Sequence, residues 1–289
     1  MPEQPDSRLT LPTGGAQTRL QVCVGRSPLR KTPDLDAEMV SQILLGETVT
    51  LHHQEGPYGL VQNLSDGYVG WTEMATLSAS ILPPTHSINV PLLHSYAAPS
   101  IRAAPQMQLG AGGRLTVTDQ TEGAFVQCAR VGWVHSALVA PIDQTESDPA
   151  AVAERLLGTP YLWGGREGEG IDCSGLVQLA YAACGISAPR DSDMQFQWFG
   201  EPLANWDTPN QLHRNDLIFW RGHVGIMLDP HTLLHANAHH MAVAQEPLPE
   251  AIQRIAPMYG QPIGARRVSR LGSGLEAGEV TPAWLTHLS

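Results

Sequence analysis

In the stretch YLWGGREGEGIDCSGLVQLAYAACG, residues 161–185, a cysteine stands between an aspartate and a serine where a glycine-rich loop meets a helix-forming run. Asp172 has the side chain of an N-cap, which places Cys173 in the first turn, where free N–H groups and the helix dipole favour a thiolate. An isolated cysteine in an apolar helix is ordinarily a packing residue, and Cys184, among Ala182, Ala183 and Ile186, fits that description. A nucleophilic thiol needs a base. His223, in RGHVGIML, opens a predicted strand at a tight turn, and His235 follows 12 residues later, where an antiparallel neighbour would return to the same level. Nucleophile, base and orienting residue fit the trio Cys173, His223 and His235, although spacing alone leaves each histidine equally suited to a polar strand end. His235, His239 and His240 in HANAHH raise a metal as an alternative. No carboxylate or cysteine in that run completes a ligand set, so no metal and no cofactor is expected.

The elements that would position these groups follow from the same pattern. Asp148–Pro149 reads as an N-cap with proline in the first helical position, leading into AAVAERLLG, which Gly158 would end. CSGLVQLAYAACG forms the next helix, with Gly185 as its stop. DLIFW (216–220) and HVGIMLD (223–229) read as strands joined by a tight Arg221–Gly222 turn, and TLLHAN (232–237) and HMAVAQE (240–246) extend the sheet. A helix ahead of an antiparallel sheet makes this part α+β, spanning 148–270, with a glycine-rich tail over 271–289.

The first half differs. DGYVGWTEMATL (66–77) and CARVGWVHSALV (128–139) share a VGW core, and each follows short alternating runs broken by glycine. Two copies of a repeat this long indicate tandem β-barrels, placed at 17–80 and 86–142, after a disordered leader at 1–16.

Composition narrows the functional classes. With 28 acidic and 17 basic residues the net charge is −11, and there is no basic run, which argues against nucleic acid as a partner. No run of about 18 apolar residues occurs, so no membrane span is expected. The four cysteines lie far apart without a CxxC pair, and the polar start MPEQPDSRLTLPTGG is unlike a secretory signal. Together these features lead to the expectation of a cytoplasmic protein.

The series YLWGG, DCSG, PRDSDMQ, NDLIFW, HVGI and LLHA, over about 150–268, resembles the NlpC/p60 family of papain-like cysteine peptidases, including the interval of 50 residues from Cys173 to His223. The resemblance implies a papain-like domain with Cys173 as nucleophile, His223 as base and His235 as orienting residue. The N-terminal repeats resemble bacterial SH3-like barrels. Two of these ahead of such a domain resemble γ-D-glutamyl-L-diamino acid endopeptidases, which cut peptidoglycan-derived peptides that begin with free L-alanine. The implied partner is that small peptide, and no oligomeric state follows.

Further roles come from this resemblance. Tyr161 matches a family tyrosine and joins the Cys173 N–H as a candidate oxyanion donor, a packing aromatic beside Trp163 being the alternative. Asp191 matches the partner of the substrate ammonium, with Ser174 and Ser192 as candidates for its α-carboxylate. Asp172 is an N-cap on its own residues and a substrate contact by resemblance. Tyr68 and Glu38 match a wall formed by the first barrel, or are ordinary barrel surface. Arg190 is left outside the site. Three other readings stay open: an exported wall hydrolase, periplasmic or wall-associated; a non-catalytic wall-binding module; and a transferase using the same thioacyl chemistry.

Overall fold

The polar run at 143–149 coincides with a division in the fold, one unit reaching Gln144 and the next starting at Thr145. The computed structural model describes residues 6–10 and 17–269. The C-terminal tail, and residues 1–5 and 11–16 of the expected leader, lie outside the described residues. Residues 6–10 correct the leader expectation: Val69 N–H donates to the Arg8 carbonyl, Gln62 Nε2 donates to that of Leu9, and Leu9 is buried.

The first unit is β-structure built from short strands with alternating burial. Residues 18–78 form a seven-stranded antiparallel sheet whose spatial order is Met39–Leu44, Arg26–Arg30, Val69–Glu73, Tyr58–Asn63, Thr48–Glu55, Thr18–Val22 and Leu77–Ser78. Residues 86–141 form a five-stranded and a three-stranded sheet around Leu93, Leu109, Leu115 and Val134. The VGW repeat is visible in three dimensions. Val69–Glu73 and Gly132–His135 each run into a 3-10 turn, Met74–Thr76 and Ser136–Leu138, and then into a short strand. Arg130, which occupies the place of Tyr68 in the second copy, has a left-handed backbone (φ 76°) and donates to Gln21 Oε1 and to the Ser80 carbonyl. It therefore ties the second copy to the first.

In the second unit, α1 (Pro149–Glu154) starts at Asp148, whose carboxylate accepts from Ala150 N–H. It is shorter than AAVAERLLG predicts, because from Arg155 onward the backbone hydrogen bonds span three residues and become turns, up to Gly158 at φ +82°. α2 (Cys173–Ala183) packs on the strand His223–Met227. α3 (Ser192–Trp198) and α4 (Leu248–Tyr259) complete the helices. The six-stranded antiparallel sheet has the order Glu201–Pro202, Gly264–Arg267, Leu217–Trp220, His223–Met227, Thr232–Asn237 and Ala242–Pro247. Trp220 pairs with His223 across the Arg221–Gly222 turn, where Gly222 takes φ +76°. No helix among the described residues is long and apolar enough to cross a membrane.

Candidate active site

Cys173 is the first residue of α2, and the aspartate before it fixes the helix start. Asp172 Oδ1 accepts from Gly175 N–H (2.8 Å) and Oδ2 from Gly164 N–H (2.8 Å), so one carboxylate caps the helix and closes the glycine loop onto it. Gly175 must be glycine, because an added Cβ would stand 2.3 Å from the Gly165 carbonyl oxygen. Arg190, with 0% exposure, grips the same carboxylate with Nη1 (3.0 Å) and Nη2 (2.6 Å) and also donates to Ser174 Oγ (2.9 Å). Ser174 in turn donates to Asp172 Oδ1 (3.3 Å).

These contacts bear on three sequence expectations. Arg190, left outside the site, is the buried counter-charge on which the helix start rests. Asp172 has the N-cap role that its own residue type favours, with both oxygens in use. Ser174 bridges the pair, its hydroxyl accepting from Arg190 Nη1 and donating to Asp172 Oδ1.

The thiol is buried at the start of α2, the helix that packs on the strand opened by His223. Burial pushes the Cys173 thiol up, aided by the neighbouring Asp172 charge, while the N–H groups of Val224 and Ser174 and the Arg190 charge act against that rise. His223, also buried, is held well below the ordinary imidazole range by burial and then by His235 and Arg254, with Glu246 opposing. Burial thus favours the neutral form of both the thiol and the imidazole.

The sheet sets the geometry around His223. Side chains alternate across a strand, and Met227 pairs with Leu233, so positions 223, 225, 233 and 235 share one face. An added Cβ at Gly225 would stand 3.2 Å from His235 Cβ, and this glycine opens the space between the two imidazoles. His223 Nε2 lies 2.7 Å from His235 Nδ1, leaving Nδ1 of His223 as the other nitrogen. One strand further on, Leu233 pairs with Glu246, which puts Glu246 on the same face, 2.7 Å from His235 Nε2. Glu246 is also held by Arg254 of α4, which donates to both of its carboxylate oxygens.

Sequence reasoning missed Glu246 and Arg254. It also judged the histidine run to lack a carboxylate, whereas ligand atoms of His235, His240 and Glu246 all lie within 4.8 Å of one another. Those groups are engaged already: His235 by His223 and Glu246, His240 Nδ1 by Asn237 Oδ1 (3.0 Å), and Glu246 by Arg254.

Tyr161 is half-buried, and its hydroxyl is pushed up by burial, then by the charges of Cys173 and Asp172. Trp163 is 58% exposed, so the two do not form the core pair considered above. Asp191 precedes α3 and is half-buried, Ser192 is buried at its first position, and Gln195 Nε2 bonds the carbonyls of Ser174 and Pro189, fastening the PRDS segment to α2. Tyr68 and Glu38 lie in the first unit. Tyr68 is buried at 4% exposure, so it is no ordinary surface residue, while Glu38 is exposed beside Lys31.

Residues 158–256 match the NlpC/P60 family, and residues 29–77 match the bacterial dipeptidyl-peptidase Sh3 domain. The chain carries an NlpC/P60 domain. Among relatives, dipeptidyl-peptidase 6 of Lysinibacillus sphaericus is 27% identical over 263 residues, covering 83% of this chain and 94% of that protein. The γ-D-glutamyl-L-lysine dipeptidyl-peptidase of Bacillus subtilis (strain 168) is 28% identical over 224 residues, covering 70% and 73%. The crystal structure of an NlpC/P60 family protein from Bacillus cereus ATCC 10987 shares the fold, with a TM-score of 0.72, 21% identity and coverage of 88% of this chain and 100% of that one. The NlpC/P60 domain is thus preceded by an SH3 domain at 29–77.

Proposed function

We propose that the protein is a cysteine endopeptidase that hydrolyses the bond between γ-linked D-glutamate and a diamino acid in peptidoglycan-derived peptides with free N-terminal L-alanine. The observation that carries this reading is a buried cysteine at the start of α2, a helix packed on the strand that opens with His223, whose Nε2 lies 2.7 Å from His235 Nδ1. Two relatives named as dipeptidyl-peptidases, one for γ-D-glutamyl-L-lysine, support the substrate class. In the first half-reaction His223 takes the thiol proton, sulfur attacks the γ-carbonyl of D-glutamate, and the imidazolium protonates the leaving amine of the diamino acid. In the second, water attacks the thioester while His223 takes its proton and returns it to the sulfur.

The oxyanion donors are the Cys173 N–H and the Tyr161 hydroxyl, the latter kept protonated by its raised pKa. Asp191 takes the substrate ammonium and Ser192 the glutamate carboxylate. Residues 86–141 form a second SH3-like module that supports the first. The place of action is the cytoplasm, where released wall peptides are broken down for reuse.

Mass spectrometry of L-Ala-γ-D-Glu-diaminopimelate incubated with the protein tests this, alongside an N-acetylated copy. Release of L-Ala-D-Glu from the free peptide alone is expected. Equal cleavage of the acetylated copy overturns the requirement for a free amine, and cleavage of neither overturns the peptidase.

A further inference from the structure

We propose that Glu246 is a positioning residue of this site which, acting through His235, dictates the nitrogen of His223 that carries the proton. This inference rests on the cysteine peptidase reading and adds a fourth and a fifth residue to it. An ionised carboxylate only accepts, so the 2.7 Å contact to Glu246 Oε1 requires His235 Nε2 to bear the hydrogen. A neutral His235 then presents the lone pair of Nδ1. That atom faces His223 Nε2 at 2.7 Å, so His223 Nε2 must bear its hydrogen as well. The basic lone pair that these two rings leave is His223 Nδ1, on the edge of the ring turned from His235. With the opposite tautomer at either ring, two lone pairs or two N–H groups would confront each other in a buried space.

Arg254 keeps the first link charged. Its Nε and Nη2 fork onto the two oxygens of Glu246, whose side chain is 12% exposed. Burial opposes that charge, but the bonds from His235 and Arg254 outweigh it and hold the carboxyl at about 2. Each member is delivered by a different element: His223, His235 and Glu246 by three neighbouring strands, and Arg254 by α4. The remaining titratable neighbour of His235 is His240, whose Nδ1 is occupied by Asn237. When His223 accepts a proton from the thiol, its positive charge lies one imidazole away from the Glu246 carboxylate, which favours that state over one with a neutral residue at 246.

Long-range ¹H–¹⁵N correlation NMR on the full chain with ¹⁵N-labelled histidine reads the tautomers without any need for turnover. The wild type is expected to show His223 and His235 both as the Nε2–H form, whereas Glu246→Leu shows mixed forms at both rings with the fold retained by thermal melt. Cleavage of L-Ala-γ-D-Glu-diaminopimelate by Glu246→Leu should fall about 10- to 100-fold in kcat with KM within about 3-fold, as for other residues that orient a reacting histidine. Glu246→Gln, which keeps an acceptor oxygen, should lie between the two. Unchanged tautomers in a folded Glu246→Leu overturn the proposal, whatever its effect on stability. Wild-type protein with the expected tautomers but no cleavage overturns the peptidase reading instead.

Discussion

The candidate active site is built from two sides, and each rests on a carboxylate gripped by an arginine. On the helix side Asp172 and Arg190 hold the start of α2, and on the sheet side Glu246 and Arg254 hold His235. The chemistry is the same but the use is different. Arg190 is fully buried, and its pair with Asp172 is tied to two backbone N–H groups and a hydroxyl, so that it fixes a stretch of main chain. Glu246 and Arg254 are 12% and 26% exposed in their side chains and touch an imidazole, so that they fix a proton. A nucleophile that belongs to a rigid helix end needs its backbone placed. A base that can carry its proton on either of two nitrogens needs its tautomer placed.

Substitutions that treat the two pairs alike should separate them. Arg190→Met leaves Asp172 buried without its counter-charge and should cost about 3–5 kcal/mol of folding free energy, read as a lowered denaturant midpoint. A loss below about 1 kcal/mol would mean that the carboxylate is held by its N–H donors alone. Gly175→Ala drives a methyl group into the Gly165 carbonyl and should cost about 1–3 kcal/mol, with the loop displaced from Cys173. Unimpaired stability and activity would show that the close approach is dispensable. Arg254→Met should cost no more than about 1 kcal/mol, as for other partly exposed pairs, yet lower kcat several-fold. A stability loss as large as that of Arg190→Met would erase the distinction drawn here.

The gentlest probe is acid. Burial holds both His223 and His235 below their ordinary value of 6.5, so the folded chain binds fewer protons there than the unfolded chain. Their contribution to stability is complete above pH about 6.5 and is lost progressively as pH falls below it. Denaturant midpoints from pH 8 to 5 should therefore decline, and the decline should be shallower in His223→Gln/His235→Gln. Parallel curves would mean that the two imidazoles are solvated.

What was legible in the sequence was what local chemistry dictates. Asp172 as an N-cap, the Arg221–Gly222 turn, and the return of His235 beside His223 follow from side-chain type, strand period and a tight hairpin. The second carboxylate was not legible: Glu246 stands at the polar end of a strand, and nothing local distinguishes it from a solvated edge residue. Arg190 was hidden for a similar reason, since its partner lies 18 residues away and arginine rarely buries itself completely. Strand Gly264–Arg267 inserts beside Leu217–Trp220, and α4 begins among prolines, which suit a first helical turn but read as breakers. These features depend on distant partners, whereas the hairpin and the caps do not.

The most direct test of a cysteine nucleophile is acid-quenched mass spectrometry of the protein during turnover of L-Ala-γ-D-Glu-diaminopimelate. A thioester mechanism predicts the L-Ala-D-Glu acyl group on the proteolytic fragment bearing Cys173, with neither adduct nor product in Cys173→Ala. Product formation by Cys173→Ala at the wild-type rate would contradict it.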